Sequence, residues 1–484
     1  LYSSAASDVY KRQHMHILFF QWFAFMQKGI ENALKKMNVS YDVFYYDMKD
    51  WDNDEVLVKK LTDYLNNSST GYDCIFSVNF IPMISDVCDR LRHEKSGIEE
   101  SGLNEVDGME NCEDGTGNVS ALSEKDVSKC MEGSKDGTVS VASLSEKDVS
   151  KCIESGKNSA KWKKQLKYIS WVYDCPVNIR RTDTLKNECN TIYFFDRIQA
   201  EGYKKQGVIG ARHMPLAVDT DVFEETIRMY NDGNISGDGL GKKLSGSSYD
   251  CDVALVGKLY KSDYQYISRY QDDYTRGYLE GIVATQEKLY GGYVIDDCVN
   301  ASIIQRINEN FAKASSGKYS VIKPEVTYAM ATEVTGRERY KILALLQNRC
   351  RVNLYSTEGD GRLKGINHCG PVDYYKQMPS AFHNAKINLN ISLKVIQSGI
   401  PLRVFDVLGC GGFLITNYQH EIAECFENGR ELVIYEDIPD LIVKVNYYLT
   451  HENERLRIAR NGYEKVKSEY TFEKRMKSIL SDIL

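Results

Sequence analysis

An α/β chain of two domains, each a doubly wound parallel sheet, is the fold class that three observations predict. Apolar strand-like runs alternate with amphipathic helical ones along most of the chain, the pattern of parallel βαβ units. The 484 residues are enough for two or more cored domains. A Gly/Ser/Asp-rich stretch without periodicity, Asn231–Tyr249, separates two such series and reads as a linker.

Composition narrows the partners. The hydrophobic fraction of 42% is that of a globular protein, and a net charge of −7 argues against nucleic acid or anionic membrane as the main partner. The 13 cysteines are odd in number and scattered, without a Cys-x-x-Cys pair. That usage suits a reducing cytoplasm and offers no metal framework.

Taken in order, residues 1–14 are set aside. Asp8–Gln13 resembles the translation of a transposon end used in library preparation, so Met15 is read as the natural start of the fold. Met15–Trp22 is a buried strand too short to span a bilayer, and Phe23, Met26, Ile30, Leu34 and Met37 mark an amphipathic helix. Strands at Tyr41–Tyr46, Tyr72–Val78, Tyr168–Tyr173, Thr191–Phe195 and Gly210–Leu216 follow. Helices at Glu55–Leu65, Pro82–Leu91 and Arg197–Gln206 alternate with them. Residues 15–219 thus form a first domain. Within it, 94–160 is rich in Ser, Gly and charge, and contains Leu-Ser-Glu-Lys-Asp-Val-Ser-Lys-Cys twice, at Leu122–Cys130 and Leu144–Cys152. Two copies are too few for a solenoid, so a disordered insertion is expected. In doubly wound sheets ligands meet the carboxyl ends of strands. Asn79, Asp174 and Asp196 follow strands there and are candidates for an acceptor side, with helix and turn capping as the alternative for each. His213 lies on the last strand of this domain, a candidate proton donor or base beside the alternative of a structural histidine.

Residues 220–249 are the linker and 250–470 the second domain. Asp252–Tyr260 is a strand ending in a Gly turn, where Gly257 permits close approach of a ligand and Lys258 or Lys261 reaches a diphosphate. Tyr264–Leu289 is a long helical segment. Strands follow at Arg351–Tyr355 and Ala385–Ser392, the latter placing Asn390 and Ser392 at the cleft. Pro401 sits at a first helical position, Leu402, Phe405 and Leu408 recur at helical spacing, and Gly411-Gly412 ends the helix before a strand at Phe413–Thr416. This helix, opening from Gly399 and Pro401, presents free N–H groups suited to phosphate. Arg403 and Asp406 share its face. Two readings stand side by side: Arg403 on a diphosphate with Asp406 on a ribose diol, or the two side chains paired with each other. Glu431–Tyr435 is a further strand, Leu441–Leu449 and Leu456–Val466 are helices, and 471–484 is a terminal helix.

The stretch Ser398–Asn417 resembles the donor-site helix of GT-B glycosyltransferases of the spore maturation CgeB type. Phe76–Cys88 and Tyr168–Pro176 resemble the amino-terminal half often found with such domains. In the broader group two Glu residues with seven residues between them close this helix before Ala-Cys-Gly. Asp406 matches the second acid, which holds the ribose of a sugar nucleotide, whereas Ser398 stands at the first, so that carboxylate is absent here. The resemblance implies a GT-B fold, with two Rossmann-like domains facing a cleft and the terminal helix crossing back onto the first domain. It also implies transfer of a sugar from a nucleoside diphosphate to an acceptor hydroxyl. Asn367–Tyr374, with Gly370 and Val372, resembles the loop whose backbone cups the base. The expected catalytic residues are Arg403, Asp174 and His213. The expected partners are a nucleotide sugar and a carbohydrate, lipid-linked or protein acceptor, with no separate cofactor, no metal, no nucleic acid and a cytoplasmic location. A GT-B epimerase and an inactive sugar-nucleotide-binding scaffold are the rival functions.

Overall fold

The computed structural model describes residues 15–93, 165–177, 180–233, 249–315 and 319–482. The expected leader, the 94–160 insertion and most of the Gly/Ser/Asp-rich linker lie outside them. Two six-stranded parallel sheets carry the fold. The first contains β1 (His16–Gln21), β2 (Ser40–Tyr45), β3 (Cys74–Val78), β4 (Lys167–Val172), β5 (Asn190–Phe194) and β6 (Ala211–His213), in the order β2-β1-β3-β4-β5-β6. The second contains β7 (Cys251–Val256), β8 (Val352–Tyr355), β9 (Asn367–His368), β10 (Ala385–Asn390), β11 (Leu414–Asn417) and β12 (Val433–Tyr435), in the order β12-β11-β10-β7-β8-β9. All pairings within both sheets are parallel.

Helices cover both faces, which is why β3 reads as a continuous buried run rather than an alternating one. One core lies on either side of the first sheet. The larger of these continues across the domain boundary through Phe405, Val407 and Leu408 of the helix Leu402–Gly409. The loops after β1, β4, β5 and β6 touch loops following strands of the second sheet, so the two carboxyl edges face each other across a cleft. This is the two-domain Rossmann-like arrangement expected from the sequence.

Several elements differ from the sequence reading. The helical segment at Tyr264–Leu289 is two helices, Tyr264–Arg269 and Asp273–Gln286, because Asp272 caps the second by accepting from Thr275 N at 2.8 Å. Pro401 is the residue before the first helical one; its ψ of 146° is extended, and the helix starts at Leu402. Thr220–Asn231, inside the expected linker, is a helix capped by Asp219. Helices Ala301–Ser315 and Lys323–Leu346 had no counterpart in the sequence reading. The last helix, Phe472–Ser481, packs on the first-domain helix Gln27–Lys36. Phe472 sits so close to Gly29 that a Cβ there would stand 2.5 Å from its ring.

Candidate active site

The order of the second sheet reverses between β7 and β10, the crevice where open α/β sheets bind ligands. Gly257, immediately after β7, has φ +134°, a conformation that side chains rarely adopt, and its N–H donates to Tyr355 O at 2.9 Å. A Cβ at this position would run into Nη2 of Arg403. The Arg403 guanidinium therefore lies against the turn.

Arg339, which the sequence reading missed, completes the corner. It is 2% exposed, on the helix Lys323–Leu346. Its fork donates Nη1 to Lys258 O after β7 and Nη2 to Ile391 O after β10, spanning the crevice. Its Nε is buried without a partner, and its guanidinium stands 4.8 Å from the Tyr260 ring centre. Burial and the neighbouring charge of Arg403 hold Arg339 down to about 10, and burial also lowers Arg403. Among the described residues, no carboxylate lies within ion-pairing distance of either guanidinium. The nearby buried Glu338 is paired instead with Lys394 at 3.2 Å. Two arginines sharing a corner in this way concentrate positive charge there without a carboxylate in direct contact.

Asp406 is on the same helix as Arg403 but does not pair with it. The carboxyl group is 4% exposed, and Oδ1 accepts from the Tyr374 hydroxyl at 2.7 Å. Burial pushes it up to about 7, partly opposed by the Tyr374 bond and the Arg403 charge. Tyr374 is in turn packed against Phe25 of the first domain, with ring centres 4.2 Å apart. The expected base-cupping loop thus brings Tyr374 onto the expected ribose carboxylate. In that loop Gly370 has φ +78° and Val372 is half-buried against the core.

The remaining expected residues divide into two groups. Lys258 and Lys261 are exposed beside the Gly257 turn. Asn390 and Ser392 do not face the cleft as expected. They are 0% and 3% exposed, with Asn390 donating to Ser392 and Thr416 and Ser392 bonding Asn417 and Gln419. Asn390 is held beneath the loop with Oδ1 unpartnered among the described residues, while Ser392 also lines a small hollow with Gln397, Asn417 and Gln419.

Gly399 and Ser398 serve a joint between the domains. Asp196, 1% exposed, caps the helix Arg197–Lys205 through Gln199 N. Its Oδ2 accepts three consecutive backbone N–H groups, from Gln397 at 2.8 Å, Ser398 at 2.9 Å and Gly399 at 3.0 Å. Ser398 Oγ lies 2.8 Å from Glu421 Oε1 and 3.1 Å from Asp196 Oδ1. His213 Nε2 stands 2.7 Å from Glu421 Oε2. Asp196 and His213, read as cleft candidates, are therefore engaged across the domain boundary, His213 through Nε2.

Asp174 is exposed at the end of β4, with its pKa raised by desolvation. It accepts from Asn79 Nδ2 at 2.8 Å, while Asn79 Oδ1 accepts from Tyr173 N at 2.7 Å. These two candidates do come together at one point of the first sheet's edge. Among the described residues, no three His, Cys, Asp or Glu side chains are grouped to hold a metal ion. No helix among them is long and apolar enough to cross a membrane.

No curated protein matches the chain. Among solved structures it is similar to HepE from Anabaena in complex with UDP and glucose, at 9% identity and TM-score 0.39, over 97% of this chain and 100% of that one. It is also similar to sucrose-phosphate synthase from Thermosynechococcus elongatus, at 10% identity and TM-score 0.44, over 97% and 99%. A third is alpha,alpha-trehalose 6-phosphate synthase from Burkholderia multivorans, at 8% identity and TM-score 0.42, over 97% and 98%. Residues 337–481 match the family model described as Glycosyl transferase-like, a span that holds Arg339, Arg403 and Asp406. The carboxyl-terminal part of this chain is thus similar to a glycosyl transferase-like domain.

Proposed function

We propose that the protein is a glycosyltransferase that moves a sugar from a nucleoside diphosphate to an acceptor hydroxyl. The observation that carries this reading is the pair of arginines, Arg339 and Arg403, cornered without a carboxylate partner at the Gly257 turn of the second sheet's switch point. In glycosyl transfer the departing diphosphate gains charge in the transition state, and fixed cations aimed at it lower the barrier. Arg403 and Arg339 supply that charge, with Lys258 or Lys261 from the turn and the N–H groups opening the helix Leu402–Gly409. The ribose diol donates to Asp406 in place of the Tyr374 hydroxyl, and the backbone about Gly370 and Val372 takes the base. Asp174 accepts the proton of the attacking hydroxyl; its raised pKa places it closer to a working general base than an ordinary surface carboxylate.

The finer reading follows the family resemblance. The protein is of the CgeB type, works in the cytoplasm on cell-surface or spore polysaccharide, and relies on its arginines rather than a divalent ion. One observation favours the scaffold alternative: the ribose carboxylate is already occupied by Tyr374 under Phe25. Incubation with a panel of nucleotide sugars, with and without excess chelator, separates the readings by released nucleoside diphosphate. Turnover that survives chelation and falls in Arg403→Ala supports transfer at this site. Binding without release marks the scaffold, and release that requires a divalent ion removes the arginine-only account.

A further inference from the structure

The first sheet has its own switch point, between β1 and β3, and a cavity of about 230 Å³ opens there. Trp22, Trp51, Phe80 and Val172 form its apolar lining, and Asn79 and Asp174 form its polar edge. Trp22 follows β1 and is fixed by donating Nε1 to Val78 O at 2.9 Å. Trp51, from the segment after β2, stands at 90° to it with ring centres 4.8 Å apart. Asn79 holds φ +60°, unusual for a residue other than glycine, and there bonds both Asp174 and the backbone of Tyr173. One oxygen of Asp174 takes the Asn79 amide, and the other has no partner among the described residues.

We propose that this cavity binds one saccharide ring of the acceptor, so that the acceptor is a glycan or glycoside rather than a protein side chain or a simple lipid alcohol. This rests on the reading of the first-domain edge as the acceptor side. A pyranose has an apolar C–H face that packs on an indole and a rim of hydroxyls that needs acceptors, and the cavity's lining offers both. At about 230 Å³ the cavity suits a ligand the size of one ring rather than a long chain. The sign of charge separates it from the donor corner. A carboxylate here repels a phosphate, whereas Arg339 and Arg403 attract one. An acyl chain would leave the free Asp174 oxygen without a donor.

The test uses the full chain and three probes: the methyl glycosides of glucose, galactose and N-acetylglucosamine, with glycerol as the acyclic control. Trp22 and Trp51 line the cavity, so indole fluorescence responds to its occupancy, and saturation-transfer NMR gives a readout independent of Trp162 and Trp171. Saturable binding of at least one glycoside is expected, weakened about tenfold by Trp51→Ala and by Asp174→Asn, with no response to glycerol. Asp174→Asn alters one atom at an exposed position and keeps the test valid should Trp51→Ala unfold. The proposal is overturned by absence of binding for all three glycosides, by equal binding of glycerol, or by binding that survives the substitutions. A parallel titration with UDP reads the second domain separately. Glycoside binding without UDP binding would defeat the transferase reading and leave the saccharide site standing, and the reverse would defeat only the saccharide site.

Discussion

Replacing Asp406 by Asn tests the electrostatics at the centre of the donor site. The carboxyl group is buried and pushed from its ordinary 3.8 to about 7, with the Tyr374 hydroxyl as its hydrogen-bond donor. Below pH ~4 both folded and unfolded chains hold this proton, and the group contributes nothing to pH dependence. Between the two values the folded chain keeps the proton that the unfolded chain has lost, so stability falls as pH rises. Above about 7 both are ionised and the penalty of a buried charge is complete. A shift of this size corresponds to about 4 kcal/mol, and about 2–4 kcal/mol is the expected range once relaxation around the site is included. Asn keeps an oxygen for Tyr374 and removes the charge. Asp406→Asn should therefore match the wild type in urea unfolding near pH 4 and exceed it by about 2–4 kcal/mol near pH 8. Its nucleotide affinity should fall about ten- to a hundredfold where a ribose hydroxyl donates to the carboxylate. A variant less stable than wild type by the same amount at every pH would refute this reasoning, because it would mean that Asp406 is ionised and held by Arg403.

Further outcomes concern the corner and the joint. Gly257→Ala forces a side chain into φ +134° and against Arg403, so it should cost about 1–3 kcal/mol in thermal unfolding and abolish calorimetric diphosphate binding. Arg339→Lys keeps a charge but loses the fork between Lys258 O and Ile391 O. Diphosphate affinity should drop about tenfold, and affinity for the bare nucleoside should change little. Asp196→Asn turns an amide donor toward donors, either on Gln397–Gly399 or on the Gln199 cap, and should destabilise by about 2–4 kcal/mol in denaturant melts. An unchanged midpoint would show that the joint contributes nothing.

The two-sheet architecture was legible because buried parallel strands are short apolar runs and their covering helices are amphipathic, as in Met15–Trp22 and the helix that follows it. Arg403, Asp406 and Gly257 were legible because local spacing and a turn glycine carry chemical meaning on their own. Arg339 was not, since one arginine inside a long helix reads as a solvent-facing charge. The available signal was its position in Gly336-Arg-Glu-Arg339, where Gly336 lets the helix approach the backbone of Tyr260. Asp196 and His213 looked like cleft residues because strand ends generally are. Their partners lie some two hundred residues away in sequence, a separation that local pattern does not encode. Ser398 read only as a missing acid, whereas its hydroxyl and N–H are used between the domains.

That joint governs how the molecule can open. Four hydrogen bonds from Gln397, Ser398 and Gly399 converge on one buried carboxylate at the end of β5, and a Cβ on Gly399 would meet the Asp196 backbone. Near the β1 end the domains share the bond from the Tyr375 hydroxyl to Phe25 O, the Phe25–Tyr374 ring contact, and Lys28 Nζ 4.9 Å from the Tyr375 ring centre. Pulling the halves straight apart would break the first set, whereas a swing about Asp196 would spare it and strain the second set together with the shared core around Phe405. In such a swing Asp196 would be the fulcrum, and Phe25 would be carried away from Tyr374. Because Tyr374 rests between Phe25 and Asp406, the same swing that widens the entrance also loosens the hydroxyl from the carboxylate.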